Sequence, residues 1–245
     1  MTTPLFLFCG GPAIYGDGVP KPLMKVSADR SLLLHFLSHL VERKAPLPLS
    51  ITLLCDDGQK AAFENELQKF VCPVPIGVEE CSASASTFEK FEHALEKVKD
   101  QQSWIQFGYP DIFFFGENAQ PEFEVDTSNA CVQISAVPLT SRFPRLFVDI
   151  YNNEIKGISN HSAPVPANPM HVFGGDLWGR CADLTALVKE FKATAKIEQP
   201  SLEYDFFFWL INQKKMRCVL LFGERLWVDS NRDIQKLLLR KAELT

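Results

Sequence analysis

One lysine near the start of this 245-residue chain has neighbours that suit it to bind phosphate. Lys21 stands between two prolines, which disfavour a helix, so we expect it on a stiff, extended segment. It follows a short apolar run that ends in Gly10 and Gly11. Glycines at that place let the backbone approach a ligand and leave N–H groups free to face anions. Lys21 is therefore a candidate phosphate ligand, and a solvated lysine on an ordinary loop is the alternative.

Two aspartates are candidate ligands of a divalent cation. Asp111 follows the fourth predicted strand, where a carboxylate could hold Mg²⁺ against phosphate groups. A turn aspartate after a proline is the alternative for that residue. Asp229 lies just before the last predicted helix, and its position alone is typical of a helix cap, together with Ser230.

The elements that must position these residues alternate regularly in the first half of the chain. Short apolar runs predict buried strands, and spacing of three and four predicts helices. The predicted strands are 5–9, 50–55, 75–78 and 104–107, and the helices are 31–43, 59–70 and 86–98. This alternation indicates βαβ units and a largely parallel sheet, in which ligands bind beyond the carboxyl ends of the strands. The loops 10–22, 56–58, 79–85 and 108–111 should therefore share one rim.

The second half is mixed. Its predicted strands are 130–138, 146–150, 154–158, 170–173, 218–222 and 226–228, and its helices are 179–192, 201–214 and 231–244. Gly174 and Gly175 follow the fourth of these strands, where they could let a ligand approach the backbone, and a strand-end turn explains them equally well. The phenylalanine-rich runs 112–115 and 206–208 are expected to form core or a subunit contact.

Composition limits the class of protein. A hydrophobic content of 46% indicates a globular core, and a net charge of −5 argues against a general nucleic-acid binder. The seven scattered cysteines show no CxxC spacing, which is typical of reduced thiols in a cytoplasmic protein. The N-terminal apolar run is too short for a signal peptide or membrane span, so no membrane association is expected. His35 and His39 are expected to be surface or half-buried residues, outside any metal cluster.

The opening segment resembles that of the sugar-1-phosphate nucleotidylyltransferases, the nucleotide-sugar pyrophosphorylases such as glucose-1-phosphate thymidylyltransferase. That family has a strand, Gly-Gly, a loop with Gly-Thr-Arg, and then Pro-Lys-Pro-Leu. Here Gly10, Gly11 and the segment 20–23 match, whereas 14–16 (Ile-Tyr-Gly) stand where the family has its arginine. Asp111 is similar to the family's first metal-binding aspartate, and Trp227-Val228-Asp229 resembles its terminal Trp-x-Asp.

The resemblance implies an α/β fold, with a single Rossmann-like, GT-A-like nucleotidyltransferase domain over 1–245 and a mostly parallel mixed sheet flanked by helices. Residues 1–128 would form the nucleotide-binding half and 129–245 the sugar-phosphate half. The implied reaction joins an NTP to a sugar 1-phosphate with release of pyrophosphate. Asp111 and Asp229 would hold Mg²⁺, Lys21 would stabilise the phosphate charge, and Gly10 and Gly11 would hold the nucleotide.

On the sugar-phosphate side the resemblance is weaker. The family's lysine slot falls near 160–162, where this chain has no lysine. Lys156 and His161 are the candidate substitutes, with a solvated loop as the alternative for His161. Gly174 and Glu203 also resemble positions on this side. The base-reading loop should be 79–84, the base is not specified, and a homo-oligomer is possible within the family.

Two other functions are alternatives to nucleotidyl transfer. A non-catalytic nucleotide or sugar-phosphate binding protein on the same fold is favoured by the missing arginine. A dinucleotide oxidoreductase is disfavoured, because the loop lacks GxGxxG spacing and leads into Pro-Lys-Pro rather than a helix.

Overall fold

The computed structural model describes residues 3–10, 18–42, 46–115, 132–138, 145–149, 154–159, 171–221 and 223–243. The strands are β1 (Leu5–Phe8), β2 (Ile51–Asp56), β3 (Ile76–Cys81), β4 (Trp104–Gly108), β5 (Ile112–Phe115), β6 (Val132–Pro138), β7 (Arg145–Asp149), β8 (Glu154–Ser159), β9 (His171–Arg180), β10 (Met216–Leu220) and β11 (Glu224–Trp227). The helices are α1 (Leu32–Glu42), α2 (Lys60–Leu67), α3 (Thr87–Lys97), α4 (Cys181–Ala195), α5 (Phe207–Asn212) and α6 (Asn231–Glu243). A π-helical segment, Leu202–Phe206, leads into α5.

Nine of these strands form one mixed sheet in the order β3-β2-β1-β4-β9-β6-β10-β8-β7. The first four are mutually parallel, as the βαβ pattern predicts. Antiparallel pairing sets β9 against β4 and β6, and β8 against β10 and β7, so these two strands oppose the direction of the rest. β5 and β11 form a separate antiparallel pair. The predicted α/β class with a mostly parallel mixed sheet is confirmed.

Both faces of β1 are buried, which explains its unbroken apolar sequence. Leu5 and Leu7 belong to the core under α1, whereas Phe6 and Phe8 belong to the core under α3. On the α3 side the ring of Phe107 stacks on Phe6, with 5.4 Å between centroids. The carboxyl end of β1 is thus fixed between two packed layers.

Of the two alternatives for Gly174 and Gly175, the strand-end turn is wrong, since β9 continues through both glycines to Arg180. Its register with β6 shifts between Ile134 and Ala136, which is a bulge, and a glycine inside a strand often marks one. Gly175 has a φ of +96°, and a Cβ there would lie 2.3 Å from Ile112 Cδ1. The helix predicted from residue 179 therefore begins later, at Cys181.

The expected surface or half-buried position of His35 and His39 is also wrong, because both residues of α1 are buried. His39 Nε2 donates to the carbonyl oxygen of Phe114, 2.6 Å away, which ties α1 to β5. The 112–115 run is a strand whose Phe113 and Phe114 are core residues, in agreement with the predicted core role. Among the described helices, none is both long enough and apolar enough to cross a membrane.

Candidate functional site

One ammonium group joins the two candidate aspartates. Lys21 Nζ donates to Asp111 Oδ2 and, at 2.5 Å, to Asp229 Oδ1. The side chains of Lys21, Asp111 and Asp229 are 14%, 21% and 35% exposed, so the cluster is partly buried yet open to solvent on one side. Three residues singled out separately in the sequence thus meet at one point.

Lys21 is held by a single 3₁₀ turn, Lys21–Leu23, rather than by the extended segment that its two prolines predict. The Leu23 N–H donates to the Pro20 carbonyl at 2.8 Å and closes the turn. Pro22 fits there because the first turn of a helix leaves its N–H groups without an internal partner. The lysine is still positioned by proline-restricted backbone, as expected.

The two aspartates meet because β5 and β11 are paired. Their register sets Ile112 opposite Trp227, and the Val228 N–H donates to the Asp111 carbonyl oxygen at 2.9 Å. The residues that follow β11 and precede β5 therefore lie side by side. This pairing was not predicted, because 112–115 was not assigned as a strand.

The Asp229 side chain does not cap α6, which was the alternative assignment for this residue. Ser230 and Asp233 cap α6 instead, with Ser230 Oγ donating to Asp233 Oδ2 at 2.6 Å and accepting from the Asp233 N–H at 3.4 Å. This reciprocal cap leaves the Asp229 carboxylate directed at Lys21. Ser230 fulfils the capping role that its position predicts.

The electrostatics of the cluster favour the charged lysine. Burial disfavours the ammonium, but the neighbouring Asp111 and Asp229 carboxylates outweigh it, so the pKa of Lys21 is raised above its ordinary value of 10.5. Lys21 is therefore a permanent cation at neutral pH.

A cavity of about 220 Å³ lies beside this cluster, at the carboxyl ends of β1 and β4. Its lining residues come from the end of β1, the Lys21 turn, the first turn of α3 and the segment after β4. They are Phe8, Cys9, Gly10, Lys21, Pro22, Thr87, Lys90, Tyr109, Pro110 and Asp111. The cavity thus occupies the rim where a parallel sheet binds its ligands.

Lys90 is a charged residue of this cavity that sequence reasoning missed. Its Nζ donates to Asp56 Oδ1 at 2.5 Å, and the side chains of Lys90 and Asp56 are 5% and 10% exposed. A Cβ on Gly10 would lie 2.1 Å from the Lys90 nitrogen and 2.2 Å from the Asp56 oxygen. Gly10 is therefore needed where this ion pair approaches the backbone.

Tyr109 connects the cavity wall to Glu203. The buried Tyr109 hydroxyl donates to Glu203 Oε1. Burial raises the pKa of both groups, and in Tyr109 the nearby Glu203 carboxylate adds to the rise. Glu203 thus contacts a residue of the cavity wall rather than the Lys21 cluster.

The other sugar-side candidates are not gathered at this point. Lys156 is an exposed residue of β8, where its ammonium pairs with Glu154. Gly174 lies in the bulged part of β9. His161 lies outside the described residues, and so does Gly11, the second nucleotide-side glycine. The roles predicted for these four residues stay predictions.

The pair Asp111 and Asp229 fits a hard divalent cation in its chemistry. Both carboxylates already converge on one positive group, the Lys21 ammonium. Mg²⁺ takes oxygen ligands and commonly uses one or two carboxylates together with substrate phosphates. No cluster of three or more His, Cys, Asp or Glu side chains suited to a metal occurs among the described residues, so substrate would have to supply ligands.

No protein-family model matches the sequence, and no curated protein matches it significantly. Solved structures do match its fold. HddC from Yersinia pseudotuberculosis has a TM-score of 0.73 and 12% identity, over 98% of this chain and 100% of that chain, and a second HddC structure is complexed with GMP-PN. The inositol-1-phosphate CTP transferase from T. maritima has a TM-score of 0.72 and 12% identity, over 96% of both chains.

A UTP-bound UGPase from Acinetobacter baumannii has a TM-score of 0.70 and 16% identity, over 98% of this chain and 93% of that chain. Structural similarity at 12–16% sequence identity establishes a shared fold, over nearly the full length of this chain and of each matched chain.

Proposed function

We propose that this protein is a nucleotidyltransferase that makes a nucleotide-sugar and pyrophosphate from an NTP and a sugar 1-phosphate. The observation that carries the proposal is the convergence of Lys21, Asp111 and Asp229 beside a cavity at the sheet rim. Support comes from structural neighbours whose names describe nucleotidyl transfer, among them the inositol-1-phosphate CTP transferase. In this proposal residues 1–128 bind the nucleotide and 129–245 form the sugar-phosphate half.

The reaction needs one bond exchange at phosphorus. A phosphate oxygen of the sugar 1-phosphate attacks the α-phosphorus, a new O–P bond forms, and the bond to the β-phosphate oxygen breaks. The electron pair of that bond leaves with pyrophosphate. Such a transfer depends on positioning and on stabilising negative charge, so no protein nucleophile is required.

Each residue of the cluster has a defined part in this proposal. Asp111 and Asp229 would hold Mg²⁺, which when bound supplies positive charge next to the α-phosphate. Lys21 turns from the carboxylates to the phosphate oxygens and stabilises the charge that builds up there. Gly10, and Gly11 after it, bring the backbone close to the nucleotide. Lys156, His161, Gly174 and Glu203 are the proposed contacts of the sugar phosphate.

The test is pyrophosphate release in the presence of Mg²⁺, with each common NTP against a panel of sugar 1-phosphates and alcohol phosphates. A signal from one pair that disappears in Asp111→Asn supports the reaction and names both substrates. The matched control is Asp57→Asn, which removes an exposed carboxylate of the neighbouring rim loop. Silence of the folded wild-type protein across the panel would contradict the proposal.

A non-catalytic binding protein is the second candidate, because residues 14–16 lack the arginine of the resembled family. It predicts saturable binding of an NTP with no pyrophosphate release under any acceptor. Equilibrium binding measured on the same samples separates the two candidates.

A further inference from the structure

Lys90 lines the cavity and carries with it a second charged group, Asp56, in an ion pair that the reaction at Lys21 does not use. Asp56 is the last residue of β2, and Lys90 lies in the first turns of α3. An ion pair this deeply buried is expensive to desolvate, and replacement by apolar residues is often neutral or stabilising. The pair lies against Gly10, and its Lys90 end lines the cavity, so a contact with ligand would explain why it is kept.

The order of strands separates the two clusters across the rim. Asp56 ends β2, Asp111 follows β4, and β1 lies between these strands. Two strand spacings amount to about 10 Å. If the α-phosphate of a nucleotide lies at Lys21, the outer edge of its base reaches about that far. The β- and γ-phosphates stay closer to the α-phosphorus, so the base is the part that meets the Lys90–Asp56 pair.

The chemistry of the pair also suits a base better than a phosphate. Lys90 is neutralised by Asp56, so an anion would gain little from the ammonium and would be repelled by the carboxylate. A lysine only donates and an ionised aspartate only accepts, and the Watson–Crick edge of every base presents an acceptor beside a donor.

We propose that Lys90 and Asp56 determine base specificity, with Lys90 donating to an acceptor of the base and Asp56 accepting from a neighbouring N–H. This inference rests on the proposed function, since it needs a nucleotide in the cavity. It names the NTP base as the ligand and the carboxyl end of β2 as the place where the base is read.

The experiment measures dissociation constants of the four common NTPs, and of the corresponding uncharged nucleosides, for wild type, Lys90→Met and Asp56→Asn. Thermal unfolding of each variant checks that it is folded. Lys192→Met is the matched control, since it removes an exposed lysine whose partner, Glu92, also lies on α3. Asp56→Asn keeps a side chain that can accept from Lys90, so it remains informative if Lys90→Met does not fold.

We expect Lys90→Met to reduce the ratio between the best and worst NTP by about tenfold or more, because hydrogen bonds to charged groups are strong. The best nucleoside should weaken by the same factor as its NTP. Asp56→Asn, which adds a donor, should change the order of preference among bases, and Lys192→Met should change nothing.

Each of the following results would overturn the inference. Weakening of NTPs without weakening of nucleosides would place Lys90 against phosphate. Equal weakening of all four NTPs, or an unchanged ratio in both variants, would leave the pair only structural. If wild type binds no NTP, the proposed function itself fails and this inference fails with it.

Discussion

Lys21 Nζ and Asp229 Oδ1 lie 2.5 Å apart although 208 positions separate the two residues in the chain. One partner follows the first strand and the other precedes the last helix. The cluster therefore exists only when both ends of the chain are folded onto the same rim. Asp111, in the middle of the chain, binds the same ammonium and completes the contact.

Replacing Asp111 with asparagine should lower turnover about 100-fold or more, since a lost metal ligand costs that much in other sites. The side chain keeps its size, so the fold should be retained. Steady-state pyrophosphate release at saturating Mg²⁺ measures the effect, with Asp57→Asn expected to stay within twofold of wild type. Near-full activity of the Asp111 variant would remove this residue from the metal site.

Replacing Lys21 with methionine should lower the free energy of unfolding by about 1–2 kcal/mol at pH 7, because two partly buried carboxylates lose their cation. The double variant Lys21→Met with Asp111→Asn should recover part of this loss, since one of the orphaned charges is removed. Urea unfolding of the four proteins in this cycle measures the coupling. Lys60→Met, which removes an exposed lysine of α2, is the control, and additive losses would contradict the coupling.

The stabilising effect of Lys21 should also depend on pH in a defined direction. The pKa of Lys21 is raised in the folded state, so its contribution is fully present below the ordinary value of 10.5. It is lost as the pH rises through the higher folded value. On raising the pH from neutral, the stability difference between wild type and Lys21→Met should therefore shrink only beyond pH 10.5, and a loss that begins near neutral pH would contradict this assignment.

His35 predicts an acid-sensitive step. Burial lowers its pKa from 6.5 to about 4, and the charges of Lys241 and Arg30 act in the same direction. The unfolded chain therefore binds a proton that the folded chain does not, so stability falls as the pH drops from 6.5 to 4. His35→Gln should reduce this loss of stability by up to about 3 kcal/mol over the interval. Chemical unfolding at several pH values measures it, and parallel curves for the two proteins would exclude His35.

Much of the parallel half was predictable, because each strand is a short apolar run followed by glycine or a turn residue. Lys90 was missed because a lone lysine on a helix is normally a surface residue. The sequence spacing did indicate burial, since Lys90 lies three residues after Thr87 and four before the buried Ala94. That spacing sets the lysine on the inner face of α3.

The paired strands β5 and β11 were harder to predict from local pattern. Val228 and the aspartate that follows it owe their position to register with residues 112–115, more than a hundred residues earlier in the chain. The bulge in β9 was also hard to predict from local pattern, because the two glycines that mark it are equally typical of a turn. Local sequence identified the three charged residues, but only long-range pairing brings them together.

Glu203 supplies a prediction with the opposite dependence on pH. Burial raises its pKa above the ordinary value of 4.5, so between these values the folded chain holds a proton that the unfolded chain has released. Stability is therefore lost as the pH rises through the folded pKa. Glu203→Gln keeps an acceptor for the Tyr109 hydroxyl and removes the ionisation, so its stability relative to wild type should increase as the pH rises above 4.5. Urea unfolding between pH 4 and 8 measures the difference, and a gap that does not change with pH would show that Glu203 titrates normally.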